Sequence, residues 1–333
     1  MALLEFSTSG IYCPVGDFYI DPWRPVARAL ITHAHSDHAR PGSAVYVAHR
    51  DSETVLRLRL GDHINLRTVD YGEIFYKNGV QLSFHPAGHI VGSAQIRVAH
   101  QGEVWVASGD YKTENDGLSG AFEPVRCHTF ITESTFGLPV FHWKPQHELF
   151  AEINQWWRQN RDEGLTSILC GYSLGKAQRL LHGLDPGFGQ VYTHGAIANT
   201  NEALRLGGLA LPPTLRLTPE LAKKEWEGQL ILAPPAVIGS NWVQRFAPYS
   251  IGSASGWMNL RGNKRRQAVD RGFVLSDHAD WPGLLTAIAE TGAERVLVTH
   301  GYTEVFSRYL REMGLDSQPV ETLFDGETTD QEG

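Results

Sequence analysis

The chain has 333 residues, 42% of them hydrophobic, with 29 Lys and Arg against 37 Asp and Glu, a formal charge of −8. That length buries a large core and suits two domains or lobes, while the negative balance excludes a protein that holds a polyanion by bulk charge alone. Three widely spaced cysteines, Cys13, Cys127 and Cys170, imply no disulfide framework and are expected as buried thiols. No signal-peptide pattern and no apolar run of membrane-spanning length is read, so a cytoplasmic protein without a membrane partner is expected.

In chain order, the first portion reads as short strands. Ala29-Leu30-Ile31 is an apolar run leading directly into Thr32-His33-Ala34-His35-Ser36-Asp37-His38. Ser52 to Leu60 has helical character. Ile74 to Lys77 and Val80 to Phe84 flank Asn78-Gly79, a strong hairpin signal, and Gln101-Gly102 likewise separates Ala94 to Val98 from Val104 to Ala107. After Glu133 the texture changes: a helix from Pro145 through Trp157, a strand Ser167 to Cys170 and a helix Leu174 to Leu184 alternate. Alternation of this kind predicts a parallel sheet with covering helices. From Gly272 a strand, a helix Trp281 to Glu290, the strand ending at His300 and a helix near Tyr302 to Met313 follow. The simplest layout is a core domain built from residues 1–144 and 271–333, interrupted by an inserted domain over 145–270.

Four metal-ligating residue types fall within six positions, His33, His35, Asp37 and His38. At a strand end, side chains two apart share a face, so His33 and His35 are expected to grip one ion. Asp37 and His38, on the following turn, are placed for a second. Imidazole with carboxylate suits zinc, with manganese or iron as substitutes. Two ions need more ligands, and three segments supply them: His89 between glycines in Gly88-His89-Ile90-Val91-Gly92, Asp110 after the strand Val104 to Ala107, and His300 at the end of Val296-Leu297-Val298-Thr299. A carboxylate such as Asp110 has two oxygens to share between ions.

With these residues the chain resembles the metallo-β-lactamase superfamily and, within it, the β-CASP nuclease branch. His33, His35, Asp37, His38, His89 and Asp110 match the superfamily's metal motifs, and Asp21, rather than Asp17, fits an upstream aspartate that orients the ligand loop without binding metal. Phe130-Ile131-Thr132-Glu133-Ser134-Thr135-Phe136-Gly137, Leu275-Ser276-Asp277-His278 and Thr299-His300-Gly301 resemble the branch's three further motifs. Tyr12 to Trp23 and Gly171 to Arg179 are similar to the bacterial ligase-associated DNA exonucleases. The resemblance implies a four-layer αββα sandwich with an inserted β-CASP lobe. It also implies His33, His35 and His89 on one ion, Asp37, His38 and His300 on the other, and Asp110 bridging.

The activity so implied is a two-metal DNA exonuclease of DNA repair, in which a metal-bridged hydroxide attacks the phosphodiester. His278 is the expected general acid, with Glu133 holding its tautomer and favouring its charged form. Ser173 and Lys176 at a helix start, Ser253 and Ser255 in a glycine-rich turn, and Lys264, Arg265 and Arg266 in the run from Arg261 are candidate phosphate contacts. Phe136, Trp143 and Trp257 offer base-stacking surfaces. DNA is the expected substrate, and functional association with an ATP-dependent DNA ligase follows from the resemblance. The alternatives are an RNA-processing member of the branch, whose third motif carries histidine as here, and a small ester or thioester hydrolase, against which Glu133, His278 and the insertion argue.

Overall fold

The structure, a computed structural model, describes residues 2–260 and 268–323. They form two compact units, one from residues 2–142 and 278–323, the other from residues 143–260 and 268–277. The described strands are numbered β1 to β19 along the chain. In the first unit, β1 (Glu5–Ser7), β2 (Gly10–Cys13), β3 (Phe18–Ile20), β4 (Ala29–Leu30), β5 (Tyr46–His49) and β6 (Leu66–Val69) lie side by side in chain order. The first two pairings are antiparallel and the rest parallel. A second sheet of the same unit runs from β7 (Phe75–Lys77) through β8 (Val80–Pro86), β9 (Ala94–His100), β10 (Glu103–Ala107) and β11 (Thr129–Ser134) to β18 (Arg295–Gly301) and β19 (Asp316–Pro319).

The two-residue alternation of this second sheet builds two cores at once. Val80, Leu82, Phe84, Ile96, Val98, Trp105, Ala107, Ile131 and Leu297 meet Ile11, Phe18, Ile20, Leu30, Val47 and Val69 of the first sheet. The intervening Val106, Phe130, Val296 and Val298 turn the other way, onto Trp281, Leu284 and Ile288 of the helix Trp281–Thr291 and Phe306 and Leu310 of the helix Thr303–Glu312. Burying each such side chain stabilises the fold by about 1.5–3 kcal/mol. The expected hairpins are present: Asn78 and Gly79 take φ of 49° and 81°, and Gln101 and Gly102 take 49° and 87°. These left-handed turn residues follow the twist of the strands they join. Asp280 caps the helix Trp281–Thr291, its side chain accepting from Gly283 N, and Gly292 ends it at φ 64°.

The second unit holds β12 (Thr166–Cys170), β13 (Val191–Thr193), β14 (Leu215–Arg216), β15 (Leu230–Ala233), β16 (Tyr249–Ala254) and β17 (Arg271–Phe273) in the spatial order β14-β13-β15-β12-β16-β17. Every pairing is parallel. Its central strand β12 is buried along its whole length because both faces are covered, Leu169 in one core and Ile168 with Cys170 in the other. Helices Gln146–Asp162 and Lys176–Gly183 supply Ile153, Trp157, Leu180 and Leu181 to the first of these cores. Because β17 pairs with β16, the chain leaves this unit after Asp277. All three cysteines are free and buried. Among the described residues no helix is long and apolar enough to cross a membrane.

Candidate metal centre

The ligand-rich segment does not lie on a strand. β4 ends at Leu30, so His33 and His35 sit in the loop beyond it, not on one strand face as their spacing suggested. Tertiary hydrogen bonds set their positions instead. Ile31 N donates to Val47 O at 2.8 Å and Ala94 N to Thr32 O at 2.8 Å, fixing both ends of the turn into the loop. Asp21, buried and at φ 43°, is its hub. Its carboxylate accepts from Thr32 N at 2.7 Å, from Thr32 Oγ1 at 2.5 Å and from His38 Nδ1 at 2.8 Å.

These bonds decide tautomers. With its own proton on Asp21, the Thr32 hydroxyl can only accept from His33 Nδ1, 3.1 Å away. His33 Nε2 is left with its lone pair, buried and without a hydrogen-bond partner, 3.5 Å from Asp110 Oδ2. The Asp21 bond to His38 Nδ1 likewise turns Nε2 of that ring toward Asp37 and Asp110, at 3.6 and 3.5 Å. At His33, a buried imidazole lone pair aimed at a carboxylate is a costly arrangement without a cation, and an ordinary one with it.

The other donors arrive on three loops. His89 follows β8, and its backbone N–H donates to Ser93 Oγ at 3.1 Å. Asp110 follows β10, where the loop presses on the histidine segment: a Cβ on Gly109 would stand 2.6 Å from the Thr32 side chain. His300 lies near the end of β18, its Nε2 2.8 Å from Asp110 Oδ1. Donor atoms of His33, His35, His89 and Asp110 all lie within 4.8 Å of one another, as do those of His38, Asp110 and His300 and those of Asp110, Glu133 and His278. Asp110 is common to all three groups, and Asp37 adjoins the second through His38. The set of imidazoles and carboxylates fits divalent metal ions.

The electrostatics agree with that fit. Burial, reinforced by His38, drives His33 well below the usual histidine range, so the ring is neutral and ready to ligate. Burial opposes charge on Asp110, yet His38 and His300 outweigh it and hold the carboxyl well below the usual range. Burial opposes protonation of His38 too, but Asp37, Asp110 and Asp21 outweigh it and raise the ring to about 10. Asp21, Asp37, Asp110 and Glu133 together bring four negative charges to this region, which two divalent ions would balance.

Beside the metal donors, His278 Nδ1 lies 2.9 and 2.8 Å from the two oxygens of the fully buried Glu133. Tyr111 N donates to Glu133 Oε1 at 2.8 Å, and Tyr111 O accepts from Ala279 N at 2.7 Å, so one residue ties both partners of the pair. Tyr111, Thr32 and Ser134 were not singled out in the sequence. The signal available was only that each adjoins a motif residue: Asp110, His33 and Glu133.

The candidate phosphate contacts among the described residues, Ser173, Lys176, Ser253 and Ser255, belong to the other unit. Lys176 is not a surface cation: it is fully buried, with Nζ 3.6 Å from Asp277 Oδ2 and 4.6 Å over the Tyr172 ring. Ser253 is buried, Ser173 is half-buried, and Ser255 Oγ accepts from Trp257 N at 3.2 Å as the cap of a short turn. Lys264, Arg265 and Arg266 lie outside the described residues. Of the proposed stacking rings, Trp143 and Trp257 are half-buried, but Phe136 is fully buried, 6.0 Å edge-on from His278, and cannot receive a base.

No protein-family model matches the chain. A protein named probable DNA ligase from Opitutus terrae is 29% identical over 316 residues, covering 93% of this chain and 30% of that protein. Endoribonuclease YSH1 of Yarrowia lipolytica is 30% identical over 122 residues, 36% of this chain and 14% of that protein. The chain resembles the β-CASP nucleases of the metallo-β-lactamase superfamily. Ribonuclease TTHA0252 of Thermus thermophilus, 27% identical over 206 residues, matches 54% of this chain and 45% of that protein. The chain therefore spans less than half the length of each of these three relatives. A crystal structure of a protein of unknown function from Enterococcus faecalis superposes with a TM-score of 0.60 at 10% identity, covering 89% of this chain and 79% of that one, a likeness of fold.

Proposed function

We propose that the chain is a two-metal phosphodiesterase acting as a DNA exonuclease in DNA repair. In this reading residues 1–144 and 271–333 are the four-layer αββα metallo-β-lactamase core, and residues 145–270 are the inserted β-CASP domain, a division supported by the two compact units, whose described residues part at Asp277 and His278. The observation that carries the reading is the convergence of seven ligand-type side chains beside a buried His278–Glu133 pair. His33, His35 and His89 would hold one ion, Asp37, His38 and His300 the other, and Asp110 both. When bound, two divalent ions, zinc first among them, supply Lewis acidity at the phosphoryl group and a nucleophilic hydroxide at neutral pH.

The chain's own residues do the rest. Asp21 keeps the Nε2 atoms of His38 and His33 open by holding the Nδ1 proton of the first directly and that of the second through the Thr32 hydroxyl. His278, with Nδ1 on Glu133, would deliver a proton from Nε2 to the departing oxygen as the phosphorus–oxygen bond breaks, and Glu133 stabilises the cationic ring before transfer. Hydrogen bonds to phosphates beyond the scissile one are assigned to Ser173 and to the basic run 261–266.

DNA is favoured over RNA by extent of similarity: the ligase-named relative matches 93% of the chain, the two ribonuclease-named ones 36% and 54%. The same similarity supports a functional association with an ATP-dependent DNA ligase. The test is digestion of end-labelled single-stranded DNA and RNA of one sequence with zinc or manganese, alongside His278→Ala. Stepwise shortening of DNA, lost in the variant, is the expected result. Preferential RNA cleavage would move the protein to the RNA-processing branch, and cleavage of neither would return it to the small-ester hydrolases.

A further inference from the structure

His300 stands on a strand irregularity that the residue pattern does not announce. β11 and β18 pair in register from Thr129↔Arg295 to Thr132↔Val298, and the next partners are Ser134↔Gly301. Glu133 alone therefore faces both Thr299 and His300, a bulge in a parallel pair, where bulges are uncommon and re-aim side chains. The extra residue turns His300 toward Asp110 while Glu133 reaches His278.

The bulge is stapled chiefly by one side chain. Ser134 is fully buried, and its hydroxyl donates to His300 O at 2.6 Å, with Thr299 O 3.3 Å away. Ser134 O accepts from Tyr302 N at 3.0 Å, just past the bulge. Gly301 crosses that carbonyl at φ 86°, where an added Cβ would stand 2.2 Å from Ser134 O. Thr299 Oγ1 donates to Thr132 O at 3.0 Å on the near side.

We propose that Ser134 is the positioning residue of His300, and that through it the protein sets the affinity of the second ion, held by Asp37, His38, Asp110 and His300, separately from that of the first. Without the hydroxyl, the carbonyl of His300 loses this short donor, and the peptide carrying the imidazole rotates to recover one. The first ion's histidines lie on other loops and do not depend on that peptide. The proposal rests on the two-ion reading above.

The test is a titration of the metal-free full chain with cobalt(II), followed by its visible absorption and by chelator competition, which yields two stepwise constants. His300→Ala identifies which step belongs to the second position. Ser134→Ala is expected to weaken that step by on the order of 10–100-fold, as loss of an outer partner of a ligand does, and to spare the other. Ser134→Cys, with a weaker donor of similar shape, should fall between, and it carries the test if the alanine variant does not fold. Thr299→Val removes the neighbouring hydroxyl bond in the same strand pair. It should lower the thermal midpoint without altering the ratio of the two constants. Equal weakening of both steps, no weakening of either, or a Thr299→Val ratio shifted as far as that of Ser134→Ala would overturn the proposal. Wild-type protein that takes up fewer than two cobalt ions would instead overturn the two-ion reading itself.

Discussion

Asp21→Asn isolates what one carboxylate does for the centre. Asparagine keeps the volume of aspartate and tolerates the left-handed backbone at φ 43°, so the substitution changes hydrogen bonding and charge with little strain. Three donors converge on the native carboxylate: Thr32 N on Oδ1, and the Thr32 hydroxyl and His38 Nδ1 on Oδ2. An amide cannot serve all three. With its NH2 group on the Oδ1 side, it faces the Thr32 N–H, donor against donor. With its NH2 group on the Oδ2 side, it donates to His38 Nδ1 and Thr32 Oγ1, which pushes the histidine protons onto the Nε2 atoms meant for metal. Either orientation leaves one buried mismatch of about 1–3 kcal/mol. At about 1.4 kcal/mol per decade that is roughly 5–150-fold in metal affinity. Competition of the protein with a chromophoric zinc chelator measures it directly, and the thermal midpoint of the metal-free variant reports how much of the loss is folding. Asp21→Asn protein that binds both ions as tightly as wild type would refute the tautomer argument.

The remaining expectations concern the acid, the proton balance and the buried charges. If the proposed DNA cleavage holds, His278→Ala and Glu133→Gln should each cut turnover by on the order of 10²–10⁴ while metal content, measured by elemental analysis, stays at the wild-type value. A divalent ion at His38 must displace its proton, since the metal-free ring titrates at about 10. Apparent affinity for that ion should therefore rise about tenfold per pH unit and level off once the pH passes this value, which chelator competition across a pH series checks. In the metal-free protein the same raised ring adds stability that is fully present below its ordinary 6.5 and is lost as pH climbs through about 10, so the thermal midpoint should fall across that window. Stripping the ions at neutral pH should lower stability by about 2.7 kcal/mol for each occupied site relative to protein in 100-fold excess over Kd, read from denaturant midpoints. In the second unit, Arg179 is buried with Nε 3.4 Å from Asp277 Oδ1 and Nη1 2.8 Å from Ser276 O. Arg179→Ala should cost about 1–3 kcal/mol, because it removes one of two cationic partners of a buried carboxylate and a donor to the Ser276 carbonyl, and unchanged thermal stability would contradict this.

Much of the architecture was legible because its signals are local. The Asn78-Gly79 turn, the strand Val80 to Phe84 that follows it and the helix from Trp281 each follow from a few consecutive residues acting on their own backbone. The identity of the ligand-type residues was legible for a similar reason, since histidine and carboxylate at close spacing have few other uses. How they meet was not. His33 and His35 converge through a loop anchored by Asp21 and Ala94, not through a shared strand face. Lys176 looked like a phosphate-facing cation until Asp277, 101 positions away, was found against it. Phe136 looked like a stacking ring until the core closed over it. The bulge that aims His300 is invisible in either strand alone, because register belongs to a pair. The sequence by itself determined which chemistry is present, since donor atoms are properties of residues. Only the tertiary structure decided which nitrogen each histidine offers, which charges are spent on one another and which residue holds His300, because those depend on hydrogen bonds and burial between segments far apart in the chain.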